Sequence, residues 1–94
     1  MAIKSYADHA TEDFHKNHVC PSQWQAFAKV ARRKLDMIDY ATDLGDLRVP
    51  PGNRLEALKG NRKGQHSIRI NDQWRVCFRW TDAGPADVEI VDDH

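Results

Sequence analysis

The stretch Leu58-Lys59-Gly60-Asn61-Arg62-Lys63-Gly64-Gln65-His66-Ser67-Ile68-Arg69-Ile70-Asn71-Asp72-Gln73-Trp74-Arg75-Val76-Cys77-Phe78-Arg79-Trp80 carries the clearest structural signal in the chain. It opens with a basic turn bounded by glycines. After Gly64 the residues alternate: His66, Ile68 and Ile70 fall on one face, Ser67 and Arg69 on the other. Alternation resumes with Trp74, Val76, Phe78 and Trp80 inward and Arg75, Cys77 and Arg79 outward. Period two is the pattern of strands with one buried face. With Asn71-Asp72-Gln73 as the connecting loop, the hairpin register opposes Ile70 to Trp74 and Arg69 to Arg75. Two arginines facing each other repel, so an anion or a carboxylate is expected between them.

Working outward, Asp82-Ala83-Gly84-Pro85 reads as a turn, and Val88 and Ile90 continue the inner face in a last strand. Pairing Trp80 with Ala86 sets Arg79 against Asp87 and Arg75 against Val91. Arg79 then has a carboxylate partner, whereas Arg69 and Arg75 are expected to have none. Upstream, Leu55 to Leu58 reads as a short strand after the Pro50-Pro51-Gly52 break. Asp43 to Leu47 suits one more helical turn. The best helix is expected from Ser22 to Tyr40 or Ala41. Ser22 and Gln25 have capping-box spacing, and Trp24, Phe27, Ala28, Ala31, Leu35 and Ile38 form one apolar face. Asp8 to Lys16 is expected as a short helix, and Ile3 to Tyr6 as an edge strand or an entry segment. Helices followed by an antiparallel meander imply an α+β fold of two layers, with N-terminal helices packed on a curved antiparallel sheet.

The chain has 94 residues, the size of one domain spanning 1–94. Two cysteines, Cys20 and Cys77, make no disulfide framework. No apolar leader and no membrane-length run is present, so a cytoplasmic protein without membrane association is expected. The formal net charge is zero, but the charge is segregated. Residues 48–79 carry an excess of six positive charges, and residues 80–94 hold five acidic residues and no lysine or arginine. Such segregation sets a local field that attracts anions, with RNA the leading candidate. His15, His18 and Cys20 form a string with metal-ligand spacing, but no second ligand pair follows it, so no metal or other cofactor is expected. No recognition-helix pattern favours a DNA-reading module.

An ordered set of short motifs resembles the HigB toxins of the RelE/ParE superfamily. These are Arg48-Val49-Pro50-Pro51-Gly52-Asn53, Leu58-Lys59-Gly60, Ser67-Ile68, Asn71-x-x-Trp74-Arg75 and Asp92-x-His94. The resemblance implies a RelE-like fold and the toxin of a type II toxin-antitoxin system. It implies a ribosome-dependent endonuclease of messenger RNA, independent of metal, neutralised by a HigA-type helix-turn-helix antitoxin. Operator DNA would be met only through the antitoxin complex. The implied working groups are Arg75, Lys59, Asp92 and His94, with Arg69 a further phosphate contact. Arg62 and Lys63, in the exposed loop, suit RNA backbone contacts. His94 is the natural proton carrier, and the cationic groups suit a phosphorane. Two positions depart from the family: Asp93 stands where relatives often carry an aromatic residue, and Glu56 where some carry a histidine. The superfamily also contains ParE-type inhibitors of DNA gyrase, which keeps a non-nuclease toxin open as an alternative. The added acidic residues leave open a weakened toxin acting mainly as an antitoxin-bound co-repressor.

Overall fold

The computed structural model describes residues 2–92. Strands β1 (Glu56–Ala57), β2 (His66–Arg69), β3 (Trp74–Thr81) and β4 (Gly84–Asp92) form one antiparallel sheet in the order β1-β2-β3-β4. Helices α1 (His9–Asn17) and α2 (Ala28–Tyr40) cover one face of it. Phe14 from α1, Leu35 and Ile38 from α2, and Ile68, Val76, Phe78 and Val88 from the sheet are fully buried between the layers. Burying each side chain of this size contributes about 1.5–3 kcal/mol, so this seam dominates the stability of so small a protein. The α+β reading therefore holds.

Local chemistry explains most element boundaries. Asp8 caps α1 by accepting a hydrogen bond from the Thr11 amide at 2.7 Å. Buried Thr11 in turn uses its Oγ1 to accept from the Ile90 amide at 3.1 Å, tying α1 to β4. The helix expected from Ser22 does not start there. Residues Ser22–Phe27 wind as a 3-10 turn, and the Ser22/Gln25 capping box is not formed. Residues i and i+3 eclipse in that geometry, which puts Trp24 and Phe27 on one side. Trp24 meets Phe14 edge-on at 5.5 Å, and Phe27 meets Trp74 of β3 at 5.3 Å. Aromatic packing of this pair outweighs the regular helix start.

The 3-10 turn Leu44–Arg48 matches the expected extra turn, with Asp43 and Asp46 closing a reciprocal capping box. The Leu55–Leu58 strand shortens to the two residues of β1. The β2–β3 register is the expected one, with Arg69 opposite Arg75. Between β3 and β4 the register holds from Arg75–Val91 to Cys77–Glu89, then slips by one residue. Arg79 pairs with Ala86 and Trp80 with Pro85, instead of with Asp87 and Ala86. The cause is a bulge in β4, where Asp87 takes a left-handed conformation (φ 52) that aspartate tolerates better than most residues. Ser5 supports it by accepting a hydrogen bond from the Asp87 amide at 2.9 Å. Residues 4–7 run beside β4, and Tyr6 makes an isolated parallel bridge to Val88, so the N-terminal segment is an entry strand of a single bridge.

That segment anchors a polar relay. Tyr6 Oη lies 2.7 Å from His15 Nδ1, and His15 Nε2 lies 3.0 Å from Asp36 of α2. Burial first, and then the Asp39, Glu12 and Asp36 carboxylates, push the Tyr6 phenol from 10.0 up to about 12. The folded state thus keeps this proton where the unfolded chain has released it. A folded value raised above the unfolded one means stability is intact below pH 10 and falls as pH climbs towards about 12. Thermal midpoints measured across that range should fall less steeply for Tyr6→Phe than for the wild type. Equal slopes would contradict the assignment. Among the described residues no helix is long and apolar enough to cross a membrane.

Candidate active site

Cross-strand partners share a face, so the register gathers Glu56, Ser67, Arg69, Arg75, Cys77, Glu89 and Val91 on the sheet side away from the helices. Arg75 lies at its centre and is only 8% exposed. Its Nε donates to Ser67 Oγ at 2.7 Å, and Nη2 donates to the Arg54 carbonyl at 2.8 Å. Nη2 also lies 3.1 Å from Glu56 Oε1. Arg54 presents that carbonyl from a left-handed conformation (φ 47) just after the 3-10 turn Pro51–Asn53. Three groups from three separate segments therefore fix one guanidinium, with its orientation set before any ligand arrives.

The expectation that Arg69 and Arg75 lack carboxylate partners is corrected. Arg75 has Glu56, and Arg69 pairs with Asp72 in the adjoining turn. Glu56 reaches Arg75 because β1 places it opposite Ser67, a register that its two-residue strand leaves unreadable in sequence. The cost of facing arginines is met by carboxylates of this chain. Arg79 reaches Asp87 at 3.4 Å even though the bulge sets it opposite Ala86.

The other expected residues are distributed unevenly. Lys59 is exposed at the start of the β1–β2 loop, where its carbonyl accepts from the Arg62 amide at 3.2 Å. Its ammonium makes no hydrogen bond or ion pair among the described residues. Lys63 is exposed in the same loop. Arg62 is not an open loop cation: Nη2 lies 2.7 Å from Glu89 and Nη1 donates to Gln65 at 3.1 Å. The hydrogen bond to Glu89 raises the Arg62 pKa still further, so its charge is permanent but already partnered. Asp92 is the cross-strand partner of Trp74, not of Arg75. Strand alternation therefore sets its side chain on the opposite face, where Gln73 Nε2 donates to it at 3.0 Å. His94 lies outside the described residues, as does Asp93.

Sequence reasoning noted Glu56 but missed its pairing with Arg75, and it missed Ser67 at the site and Lys34 and Asn53 beneath it. Lys34 is buried and donates to fully buried Asn53 Oδ1. Desolvation, then the nearby Arg33 and Arg69 charges, lower its pKa. The sequence did contain the signal, since Lys34 lies three residues after Ala31 and four before Ile38 on the apolar helix face. His15 and Cys20 of the metal-like string are engaged elsewhere: His15 with Tyr6 and Asp36, and Cys20 with the Pro21 carbonyl. Among the described residues no group of three or more potential ligands is placed to hold a metal ion.

Ser67, Arg75 and Cys77 are buried on this face, Glu56 stands exposed at its edge, and no pocket forms among the described residues. Such a face suits a phosphodiester backbone laid across arginines, with few contacts available to select bases.

A family model described as the RelE-like toxin of type II toxin-antitoxin system HigB matches residues 4–94. The chain is 43% identical over 83 residues to Toxin HigB-1 of Vibrio cholerae serotype O1, covering 88% of this chain and 83% of that protein. It is 33% identical over 61 residues to Endoribonuclease HigB of Proteus vulgaris, covering 65% of each. Among solved structures, a YoeB/ParE toxin from Agrobacterium tumefaciens resembles it with a TM-score of 0.52 at 19% identity. That likeness covers 98% of this chain and 94% of the other, and concerns the fold.

Proposed function

The chain belongs to the HigB toxin family of the RelE/ParE superfamily, and from that premise we propose that it is a metal-independent endoribonuclease cutting messenger RNA on the translating ribosome. As the toxin of a type II toxin-antitoxin system it has an antitoxin partner, which we take to be of the HigA helix-turn-helix type. The complex meets operator DNA through the antitoxin, in the cytoplasm. One observation carries the reading: a buried arginine, locked by Ser67 and the Arg54 carbonyl, at the centre of the sheet face away from the helices. A cation held in place stabilises the extra negative charge of a phosphorane without reorganising as it forms.

In this mechanism Arg75 and Lys59 stabilise the phosphorane and Arg69 holds a neighbouring phosphate, with Asp72 displaced. Lys63 and, once freed from Glu89, Arg62 contact the RNA backbone. His94 carries a proton, and Asp92, held by Gln73 on the other face, takes no part at the phosphate. The product is a 2′,3′-cyclic phosphate. With no pocket among the described residues to grip a base, orientation of the RNA falls to the ribosome.

The test uses one messenger RNA, naked and on translating ribosomes, with purified protein. Cleavage confined to the ribosome-bound message, with 2′,3′-cyclic phosphate ends, is expected. Equal cleavage of naked RNA would overturn the ribosome requirement. A second reading has a specific observation behind it: Arg62, Arg69, Arg75 and Arg79 are each already paired with a carboxylate. That favours a weakened toxin serving as an antitoxin-bound co-repressor, and it predicts that neither RNA is cut. A gyrase inhibitor of the ParE type would also leave both intact, and would instead block supercoiling by purified gyrase.

A further inference from the structure

Two charged side chains are buried among the described residues, Arg75 and Lys34. Arg75 has a role at the phosphate, and Lys34 of α2 has none so far. Lys34 is 7% exposed, between Ala31 and Ile38 on the apolar helix face. Its ammonium donates to Asn53 Oδ1, a neutral partner, and meets no carboxylate among the described residues. Arg33 and Arg69 bring further positive charge close to it. Stability alone would favour an apolar side chain of similar volume here, because a buried charge is poorly repaid by a neutral partner.

A continuous path of bonds joins Lys34 to the Arg75 guanidinium. Lys34 holds Asn53 Oδ1, while Asn53 Nδ2 donates to the Leu47 carbonyl at 3.1 Å. The Asn53 amide donates to the Pro50 carbonyl at 2.9 Å, and the Arg54 amide to the Pro51 carbonyl at 3.1 Å. The carbonyl that follows, that of Arg54, accepts from Arg75 Nη2 at 2.8 Å. Arg54 presents it at φ 47. Residues other than glycine disfavour that conformation, so the surroundings must hold it. On the premise that the chain is a ribonuclease, we propose that Lys34 is a positioning residue: through Asn53 it fixes the turn whose Arg54 carbonyl aims Arg75 at the phosphate. Lys34 itself touches no RNA. It keeps the guanidinium in register with the charge that develops on the phosphorane, where a displacement of about 1 Å can cost about 10²-fold in rate.

Single-turnover cleavage on translating ribosomes tests this, read both as the rate at saturating protein and as the concentration giving half-saturation. The proteins are wild type, Lys34→Met and Lys34→Gln, each also combined with Arg75→Lys. Methionine fills the space without a donor, and glutamine restores an uncharged donor with shorter reach. Lys34→Met should lower the saturated rate by about 10- to 10²-fold with half-saturation unchanged, and Lys34→Gln should fall between. In the Arg75→Lys background the methionine change should cost less than about twofold, because the group it aims is gone. Rates are taken well below every thermal midpoint, with circular dichroism confirming the fold. Lys34→Leu, which also lacks a donor, is read in the same way if the methionine variant does not fold. A lowered midpoint with a rate within twofold of wild type makes Lys34 purely structural and overturns the proposal. Equal losses with and without Arg75 overturn it too, as does a glutamine variant no faster than the methionine one. A change in half-saturation alone would make Lys34 a source of field for RNA and not a positioning group. Each of these results leaves the ribonuclease reading intact. If wild type itself cuts nothing, that reading fails, and the proposal with it.

Discussion

Arg75→Lys is expected to lower messenger RNA cleavage by about 10²–10³-fold, the scale of removing one fixed charge-stabilising donor from an active site. Lysine keeps the charge and loses the geometry. It cannot donate to Ser67 Oγ from one edge and to the Arg54 carbonyl from another, and it cannot hold Glu56 side-on. Because the guanidinium is buried, the substitution also leaves Ser67 and the Arg54 carbonyl short of a donor, at roughly 1–3 kcal/mol. Arg75→Ala would enlarge that fold effect and confuse the two losses, so lysine is the more informative change. Cleavage should be measured on ribosomes well below both thermal midpoints, with circular dichroism confirming the folded state. Activity within twofold of wild type would make Arg75 a structural pillar and move the chemistry elsewhere.

Asn53→Ala should destabilise the protein by about 2–4 kcal/mol, the scale of leaving a buried charge without its partner. Asn53 is fully buried, and its side chain satisfies several groups together. Nδ2 donates to the Leu47 carbonyl at 3.1 Å and the Val49 carbonyl at 3.4 Å, while Oδ1 accepts from the Lys34 ammonium. Removing the amide strands a lysine whose charged form burial already disfavours. It also loosens the turn from which Arg54 presents its carbonyl to Arg75. Urea unfolding monitored by tryptophan fluorescence reads the change directly. A loss below about 1 kcal/mol would mean that water replaces the amide and that Lys34 is not truly enclosed.

These two residues also mark the boundary of what sequence reveals. The helix face from Ala31 to Ile38, the strand alternation after Gly64 and the facing of Arg69 and Arg75 were all legible. Each depends on periodicity or on a short loop, which local residues determine. Asn53 stood out only as the end of a motif after two prolines, because nothing local announces a lysine from a helix 19 residues away. The carboxylates opposite the arginines were hidden for a related reason. Glu56 depends on the register of a two-residue strand, and Glu89 meets Arg62 only once a loop folds over the sheet. The slip at Asp87 came from a bulge supported by Ser5, at the far end of the chain. Asp92 was grouped with Arg75 by resemblance, and alternation along β4 sets it on the other face.

The central claim, that this protein cuts messages during translation, is tested most directly by mapping RNA 5′ ends across the transcriptome shortly after its induction, beside an Arg75→Lys culture. The account predicts new ends inside translated codons, carrying 5′-hydroxyls, and their loss in the variant or in messages without a start codon. Growth arrest with intact messages would contradict it and point to a target other than RNA.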